Sequence, residues 1–260
     1  MTTDAVPRNV ADFARAREFG AHLATYRPRT LRRGVAMLLG LAGGLCLLGA
    51  LVAVLAEVWP AGLACAALGA LFLYLLARTP GFSGRQAAKR VDVFENGFIQ
   101  SDGSGPRADF RWDSIGSVCQ RITRNYTNGL YTGTTYLYKI TRHDGVTTKL
   151  TEFYDGIAAL GETIAREVGQ VQLPRAMEAI QHGQTVIFGD LALNAGGIAC
   201  TGRGSVPWTD IERVQVNRGY VSLRRAGKWL AWSSKPASQI PNLFVFLTLA
   251  DLLQHTPPRT

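Results

Sequence analysis

Two uncharged, apolar stretches restrict the fold of this chain more than any other feature of its sequence. Residues 35–56 are 22 positions without a charge and residues 61–77 are 17 more, with only residues 57–60 between them. A helix needs roughly 20 apolar residues to cross the hydrocarbon core of a bilayer. The sequence therefore predicts a transmembrane helical hairpin over residues 34–78, preceded by a short tail at residues 1–33 and followed by a long polar part.

The basic residues around this hairpin predict its orientation. No Lys or Arg lies between the two apolar stretches. The basic flanks are Arg27, Arg29, Arg32 and Arg33 on one side and Arg78, Arg85, Lys89 and Arg90 on the other. Because Lys and Arg are enriched in cytoplasmic loops, we expect an inner (cytoplasmic) membrane protein with two spans and both termini in the cytoplasm. The lipid bilayer is then one of its partners.

The net charge of +9 is concentrated next to the hairpin. Residues 1–90 hold 11 Lys and Arg and 4 Asp and Glu, a net charge of +7, which leaves +2 for residues 91–260. A nucleic-acid-binding protein usually carries its positive charge on a soluble face or helix, so no nucleic-acid partner is expected. Anionic lipid headgroups are a candidate partner, because they attract basic segments next to a membrane.

Small residues recur at four-residue spacing in both apolar stretches, which permits helices to approach closely. They are Gly40 and Gly44 in the first stretch and Ala61, Cys65 and Gly69 in the second. The favoured interpretation is that the two helices pack on each other, since only a short turn joins them; a homo-oligomer is the alternative. Neither stretch contains the Asp, Glu, Lys, Arg or His that a transporter or channel would use.

The tail at residues 1–33 contains one amphipathic pattern. Val10 and Phe13 share a helical face that excludes the charged residues around them. One interpretation is a helix that lies on the membrane surface. The other is a short tail that packs on the soluble part of the chain or is left mobile, and the sequence leaves these interpretations open.

Beyond a predicted linker at residues 80–84, the sequence changes to short β-rich segments separated by turns. Strands are predicted at 91–94, 98–101, 108–112, 115–124, 136–143 and 147–153. Residues 125–133 are predicted to form a longer connection between two of these strands. A helix follows over residues 154–169, and Pro174 is expected to begin a separate helix that continues over residues 175–181.

The same arrangement recurs further along the chain. Strands are predicted at 184–188, 191–194, 198–201, 206–208, 211–217, 220–225 and 229–233, before a terminal helix at 240–254. The pattern W-x-x-I-x-x-V occurs at residues 112–118 and again at 208–214, and its Trp is expected to be a packing residue. We therefore predict an α+β chain in which the hairpin precedes two copies of one fold, at 91–171 and 173–256. Each copy is a bent antiparallel sheet with a C-terminal helix.

A sheet closed by one terminal helix is the arrangement of pleckstrin-homology-like (PH-like) domains, in which the helix fills the open corner of a bent sheet. Further motifs occur in order: YRPR at 26–29, VFENG at 93–97, FRWDSI at 110–115, GTTY at 133–136, FGDL at 188–191 and IPNL at 240–243. On these motifs the chain resembles bacterial PH-like membrane proteins, and it is similar to an uncharacterised actinobacterial family, a domain of unknown function. The resemblance covers most of residues 26–255 and implies tandem PH-like domains at a membrane, but no activity.

No sequence motif for catalysis, a metal or a cofactor is present. The four His residues are scattered, and the four Cys residues form no C-x-x-C pair. The chain also has no G-x-S-x-G, P-loop or H-E-x-x-H motif. We therefore predict no catalytic residue, no metal site and no cofactor, and we do not expect an enzyme.

A tentative binding surface is predicted on the first copy. Its residues are Arg121, Arg124, Tyr136, Tyr138 and Arg142. Tyr136 and Tyr138 share a strand face by their two-residue period, so a headgroup or a peptide could contact them beside the arginines. The favoured interpretation is an ordinary half-buried face with solvated arginines. The corresponding basic residues of the second copy are Arg203, Arg218, Arg224, Arg225 and Lys228.

The favoured function is that of a membrane-anchored, non-enzymatic binding or scaffold protein that presents tandem PH-like domains to the cytoplasm. Its partner would be an unknown protein, bound as a segment along a sheet edge or in a groove. Two alternatives stay open: a reader of anionic lipid surfaces and, less favoured, an enzyme with an unrecognised site.

Overall fold

The computed structural model describes residues 6–30, 33–78 and 84–255. The chain divides into two compact units, Met1–Asp109 and Phe110–Thr260. Arg32 of the predicted basic flank and residues 80–83 of the predicted linker lie outside the described residues.

The first unit combines three helices, a short helical turn and one sheet. Its elements are α1 (Arg8–Ala16), β1 (His22–Tyr26), α2 (Arg33–Leu55), α3 (Trp59–Ala77), α4 (Gly84–Ala87), β2 (Arg90–Phe94), β3 (Gly97–Asp102) and β4 (Gly105–Arg111). The sheet has the order β1-β2-β3-β4, and β2 runs antiparallel to both β1 and β3.

Strand β1 is an element that the sequence analysis missed, because it lies in the segment interpreted as a tail. It pairs with β2, so that Thr25 lies opposite Asp92 and Tyr26 opposite Val91. The helices α2 and α3 are therefore inserted between two neighbouring strands of one sheet. The chain leaves this sheet before α2 and returns to it after α3, which places both ends of the helical hairpin at the same sheet.

Helix α1 packs its apolar face on this sheet. Val10 and Ala14 are buried in a cluster with Phe19, Phe94 and Ile99. A helix lying on the membrane would need this face for lipid. The membrane-surface interpretation is therefore wrong, and the alternative of a segment packed on the folded part is confirmed.

Helices α2 and α3 are long and apolar enough to cross a membrane. Their apolar segments, Val35–Leu55 and Trp59–Ala77, have mean hydropathies of 2.5 and 2.0, and only 11% and 17% of the most apolar windows are buried. The core helix of a soluble protein would instead be mostly covered by other parts of the chain.

The two helices approach closely at glycine. A methyl group added to Gly69 would lie 3.0 Å from the Leu47 side chain and 3.1 Å from the carbonyl oxygen of Gly43, whereas one added to Gly44 would meet nothing within 4 Å. The two helices therefore pack on each other, as the favoured interpretation predicted, and Gly69 is at the contact. Its neighbour there is Gly43, which the spacing did not single out, whereas Gly44 lies outside that contact.

The second unit contains three sheets and two long helices. Its elements are β5 (Ile115–Thr127), β6 (Leu130–Arg142), β7 (Thr147–Thr151), α5 (Ile157–Gln181), β8 (Val186–Phe188), β9 (Leu191–Asn194), β10 (Gly197–Cys200), β11 (Gly204–Pro207), β12 (Ile211–Asn217), β13 (Tyr220–Arg225), β14 (Ala231–Pro236) and α6 (Leu243–His255). The sheet orders are β5-β6-β7, β11-β10-β9-β8 and β12-β13-β14. The pairs within these sheets are antiparallel.

Strands β5 and β6 extend further than the sequence predicted. The segment at 125–133, expected to be a long connection, is the continuation of both strands, with Thr127 opposite Leu130. Asn128 and Gly129 form the turn at φ 51° and 80°, the left-handed region that a tight hairpin turn requires. The hairpin is therefore a long two-stranded arm.

Helix α5 is continuous where two helices were predicted. Pro174 lies inside it, although proline removes one helical hydrogen bond. Ile180 is buried in the apolar core formed by β8 to β14 and α6, and Leu173 and Met177 pack against that core, so the helix is held on both sides of the proline. The boundary predicted between the two copies at residues 171–173 therefore lies inside one helix.

The two predicted copies share a closing contact. In each, a 3₁₀ turn that begins at Trp112 or Trp208 precedes the strand, and both tryptophans are buried as predicted. A glutamine of the helix then donates from Nε2 to the first carbonyl of that strand. These bonds join Gln172 to Ile115 at 2.8 Å and Gln254 to Ile211 at 3.1 Å.

Strands β8 to β14 and helix α6 enclose one apolar core. Leu193, Ile198, Leu223 and Phe246 are fully buried in it. Two antiparallel sheets thus face a common core, and the terminal helix packs against them. The structure is an α+β fold with two apolar helices near the N-terminus and antiparallel sheets after them.

Candidate functional site

Strand β5 lies at the edge of its sheet, and one residue just before α6 covers the beginning of that edge. The Val118 N–H donates to Asn242 Oδ1 at 2.8 Å, and the Asn242 N–H donates to the Val118 carbonyl at 2.8 Å. The side chain of Asn242 also donates from Nδ2 to the Gly116 carbonyl at 2.9 Å. Asn242 therefore occupies the place that a neighbouring strand would take.

Beyond Val118, the edge of β5 is open. The pairing of β5 with β6 is regular from Val118 to Asn125, so the backbone groups of every second residue point the same way. Those of Gln120, Ile122 and Arg124 point outwards, like those of Val118. Within the described parts of the chain no hydrogen bond reaches these outward groups. Native proteins usually cover or block such an edge.

This open edge lines a groove. The opposite side is formed by the β12–β13 turn and by residues 236–238, and the volume of the open groove is about 910 Å³. We call it the β5 groove, and its principal residues are Arg121, Ile122, Arg124, Tyr126, Arg218 and Tyr220. A second hollow of about 660 Å³ continues from it over the same face of β5 towards Tyr131 and Tyr136.

The β5 groove is positively charged. Arg121, Arg124 and Arg218 line it, and its lining contains no Asp or Glu. None of these three forms a salt bridge with another described residue. Their charges are available to a ligand.

Other arginines of the predicted second copy already have partners. Arg224 binds Glu212 at 2.5 Å and Arg225 binds Asp210 at 3.0 Å. The Arg203 guanidinium donates to the carbonyl of Trp232. Of the second-copy arginines that the sequence singled out, Arg218 is the one that lies in the groove.

The structure separates the five residues of the tentative binding surface. Arg121 and Arg124 lie in the groove, and the half-buried Tyr136 lies opposite Ile122 on the neighbouring strand. Arg142 lies elsewhere, where it donates to Asp144 Oδ1 at 3.0 Å and stacks 5.9 Å from the centre of the Phe110 ring. The prediction therefore needs correction at Arg142, whose charge is used inside a hairpin turn.

Tyr138 also needs correction, because it is buried. Only 2% of its surface is exposed, and its ring occupies the space where a side chain at Gly161 would begin. Burial raises the pKa of Tyr138 to about 12, and the neighbouring Tyr136 and Glu162 act in the same direction. A helical glycine in α5 thus admits Tyr138 to the core, a contact that strand periodicity alone does not reveal.

The sequence does not reveal that the β12–β13 turn lies across the groove from β5. Arg218 and Tyr220 stand almost a hundred positions after Arg121, and no local pattern relates them. The one local signal is the turn itself, in which Arg218 and Gly219 have φ of 48° and 81°. The described residues contain no group of three or more His, Cys, Asp and Glu side chains that could hold a metal ion.

Comparison with known proteins adds one finding. Residues 6–259 match a family described as "Family of unknown function (DUF6585)". The chain belongs to this family. No curated protein and no solved structure shows a significant match to it. Membership of DUF6585 agrees with the uncharacterised family expected from the sequence, and it assigns no activity.

Proposed function

We propose that this DUF6585 protein is a membrane-anchored, non-enzymatic protein that binds a partner protein in the cytoplasm. Helices α2 and α3 cross the inner membrane. The largely exposed apolar surface of both helices supports this. Both termini lie in the cytoplasm, which agrees with the basic flanks and with β1 and β2 being neighbours in one sheet.

The folded part consists of tandem PH-like domains. Two antiparallel sheets and a terminal helix around one core, as in β8 to β14 with α6, support this assignment. The repeated contacts from Gln172 to Ile115 and from Gln254 to Ile211 support the duplication. An actinobacterial origin of the family stays a prediction from the resemblance.

The open edge of β5 is the observation that carries the binding function. An extended segment of another protein can add to such an edge as a further strand, and the main-chain hydrogen bonds provide affinity. Gln120, Ile122 and Arg124 offer both N–H and C=O groups in the groove. Because the membrane hairpin concentrates the partners in one plane, even a weak contact would be occupied.

Site-specific photo-crosslinking in the full-length protein in its native membrane tests this function. A photoreactive amino acid at Thr123, which lines the groove, is compared with one at Lys149 on β7, the opposite edge strand of the same sheet. We expect one defined protein adduct from Thr123 and none from Lys149.

The variant Ile122→Pro identifies the mode of binding. At this position proline removes an outward N–H and replaces the Ile122 side chain, but it removes no hydrogen bond to β6, and an edge strand tolerates it. Loss of the Thr123 adduct in this variant would support strand addition. An adduct that survives the proline, equal labelling at Lys149, or labelling of lipid instead of protein would contradict the proposal.

A further inference from the structure

The β5 groove differs from an ordinary open strand edge in its charge. We infer that it selects an acidic, extended protein segment whose carboxylates alternate with apolar side chains. This inference rests on the proposed function, since it names the class of partner that the open edge receives.

The three arginines lie on different sides of the groove. Arg124 shares a face of β5 with Ile122, whereas Arg121 projects from the opposite face, because successive side chains of a strand alternate. Arg218 lies on the opposite wall, in the β12–β13 turn. An added strand would therefore have an arginine beside it on both of its faces. Arginine and carboxylate form strong, often paired hydrogen bonds.

The apolar residues of the groove lie between these charges. Ile122, Tyr126 and Tyr220 have exposed fractions of 48%, 60% and 50%. Side chains directly opposite on neighbouring strands contact each other. A segment that alternates carboxylates with Val, Ile or an aromatic residue would place apolar groups on Ile122 and Tyr126 on one face of β5 and acidic groups beside Arg121 on the other.

The backbone of β5 fits an extended peptide better than a lipid phosphate. A phosphate offers only acceptors, so it could bind the arginines and the outward N–H groups. The outward carbonyls of Gln120 and Ile122 need donors, which the N–H groups of an extended peptide provide. The combination of positive charge and an open strand edge therefore favours an acidic peptide.

Peptide binding to the full-length protein in nanodiscs of neutral lipid tests the inference. Two fluorescent peptides of the same length are compared by anisotropy, one alternating Glu with Val and the other alternating Lys with Val. We expect the Glu-Val peptide to bind at least about tenfold more tightly, and its affinity to fall as salt is added. An N-methylated Glu-Val peptide, which lacks alternate backbone donors, should bind more weakly than the unmodified one.

Two charge reversals, one in the β12–β13 turn and one on strand β12, provide a test and its matched control. Arg218→Glu should weaken the Glu-Val peptide about tenfold or more, whereas Arg213→Glu changes the net charge equally on an exposed residue outside the groove. Thermal unfolding shows that both variants are folded, and Arg121→Glu is a second variant within the groove.

The outcomes separate the inference from the function on which it rests. Equal binding of the two peptides, or equal loss with Arg213→Glu and Arg218→Glu, would overturn the acidic selectivity. If the acidic selectivity were overturned in this way but Ile122→Pro still abolished the Thr123 adduct, strand addition would stand without that selectivity. If neither peptide bound, the inference would be wrong, and absence of the Thr123 adduct would remove the proposed function as well.

Discussion

Asn242 and Val118 exchange hydrogen bonds in both directions, although they are more than a hundred residues apart in the chain. Each bond is 2.8 Å long, and one of them uses the Asn242 side chain in place of a strand's carbonyl. Asn242 has φ of 51°, a conformation that asparagine tolerates better than most residues. This one residue joins the beginning of α6 to the edge of β5 and marks where the open part of that edge starts.

Replacing Asn242 should loosen this connection. Asn242→Ala removes two side-chain hydrogen bonds, to Val118 and Gly116, and strains a left-handed backbone. We expect a loss of about 2 kcal/mol in the free energy of unfolding, measured by urea denaturation of the detergent-solubilised protein. Asn125→Ala, which removes an exposed bond to Thr135, is the control and should cost less than about 0.5 kcal/mol. Equal losses of unfolding free energy in the two variants would show that the contacts of Asn242 stabilise the fold no more than an exposed hydrogen bond does.

The buried pair Arg90–Asp92 should be essential for the sheet around the hairpin. Asp92 is fully buried, and it accepts from Arg90 Nε at 2.7 Å and from Thr25 Oγ1 at 2.6 Å. Asp92→Ala leaves the Arg90 charge buried without its partner, so we expect a loss of about 3–5 kcal/mol in unfolding free energy. The double variant Asp92→Leu with Arg90→Met should recover much of it.

A surface pair provides the contrast for Asp92. Asp12→Ala removes the exposed salt bridge to Arg15, 3.0 Å long, and should change stability by less than about 0.5 kcal/mol. A drop at Asp92→Ala no larger than this would contradict the structural role of the buried pair. The buried Arg90–Asp92 pair also corrects the interpretation of Arg90 as part of a basic membrane flank. Its charge is neutralised inside the fold and contributes little to such a flank.

A methyl group at Gly161 should be costly because of Tyr138. In Gly161→Ala the new side chain would overlap the Tyr138 ring, and we expect a loss of about 1–3 kcal/mol despite the better helix propensity of alanine. Tyr138→Leu in the same chain should restore part of this loss by making room. If Gly161→Ala proves neutral or stabilising in urea denaturation, the placement of Tyr138 against α5 is wrong.

Stability at high pH should depend on Tyr138. Its pKa is raised from 10.0 to about 12, so the folded state favours the neutral phenol. That contribution is fully present below pH 10 and is lost as the pH rises towards 12. Between roughly pH 9 and pH 11.5, the wild type should lose more unfolding free energy than Tyr138→Phe, which has no phenol to ionise. Parallel curves for the two proteins would contradict the burial of this group.

The helical hairpin should tolerate bulk at one glycine and not at another. Gly69→Leu would force α2 and α3 apart, since a side chain there meets Leu47 and the Gly43 carbonyl, whereas Gly44→Leu enters open space. We expect Gly69→Leu to lower the midpoint of thermal unfolding in detergent and Gly44→Leu to leave that midpoint unchanged. Unfolding is followed with a thiol-reactive dye that reports the exposure of Cys46 and Cys65. A lower midpoint for Gly44→Leu would instead indicate that this face contacts a second copy.

The site could be predicted only in part, and the reason lies in the range of the interactions. Arg121 and Arg124 were recognisable because charge on a strand is visible in local sequence. The two-residue period placed Tyr138 on a half-buried strand face or a tentative binding surface, but the missing side chain at Gly161 allows its ring fully into the core. Pro174 looked like the start of a helix, but burial of Ile180 beyond it keeps α5 continuous.

The sequence alone was sufficient for the features that depend on neighbouring residues: the apolar hairpin with its basic flanks, the short strands with their turns, and the repeated W-x-x-I-x-x-V pattern. These follow from hydrophobic periodicity and turn chemistry, which act over a few positions. Only the tertiary structure decided that β1 joins the sheet across the inserted hairpin, that the edge of β5 is open beyond Asn242, and that Arg218 faces that edge. Strand order and the meeting of distant turns depend on pairing and burial across the whole chain, and no local pattern contains them.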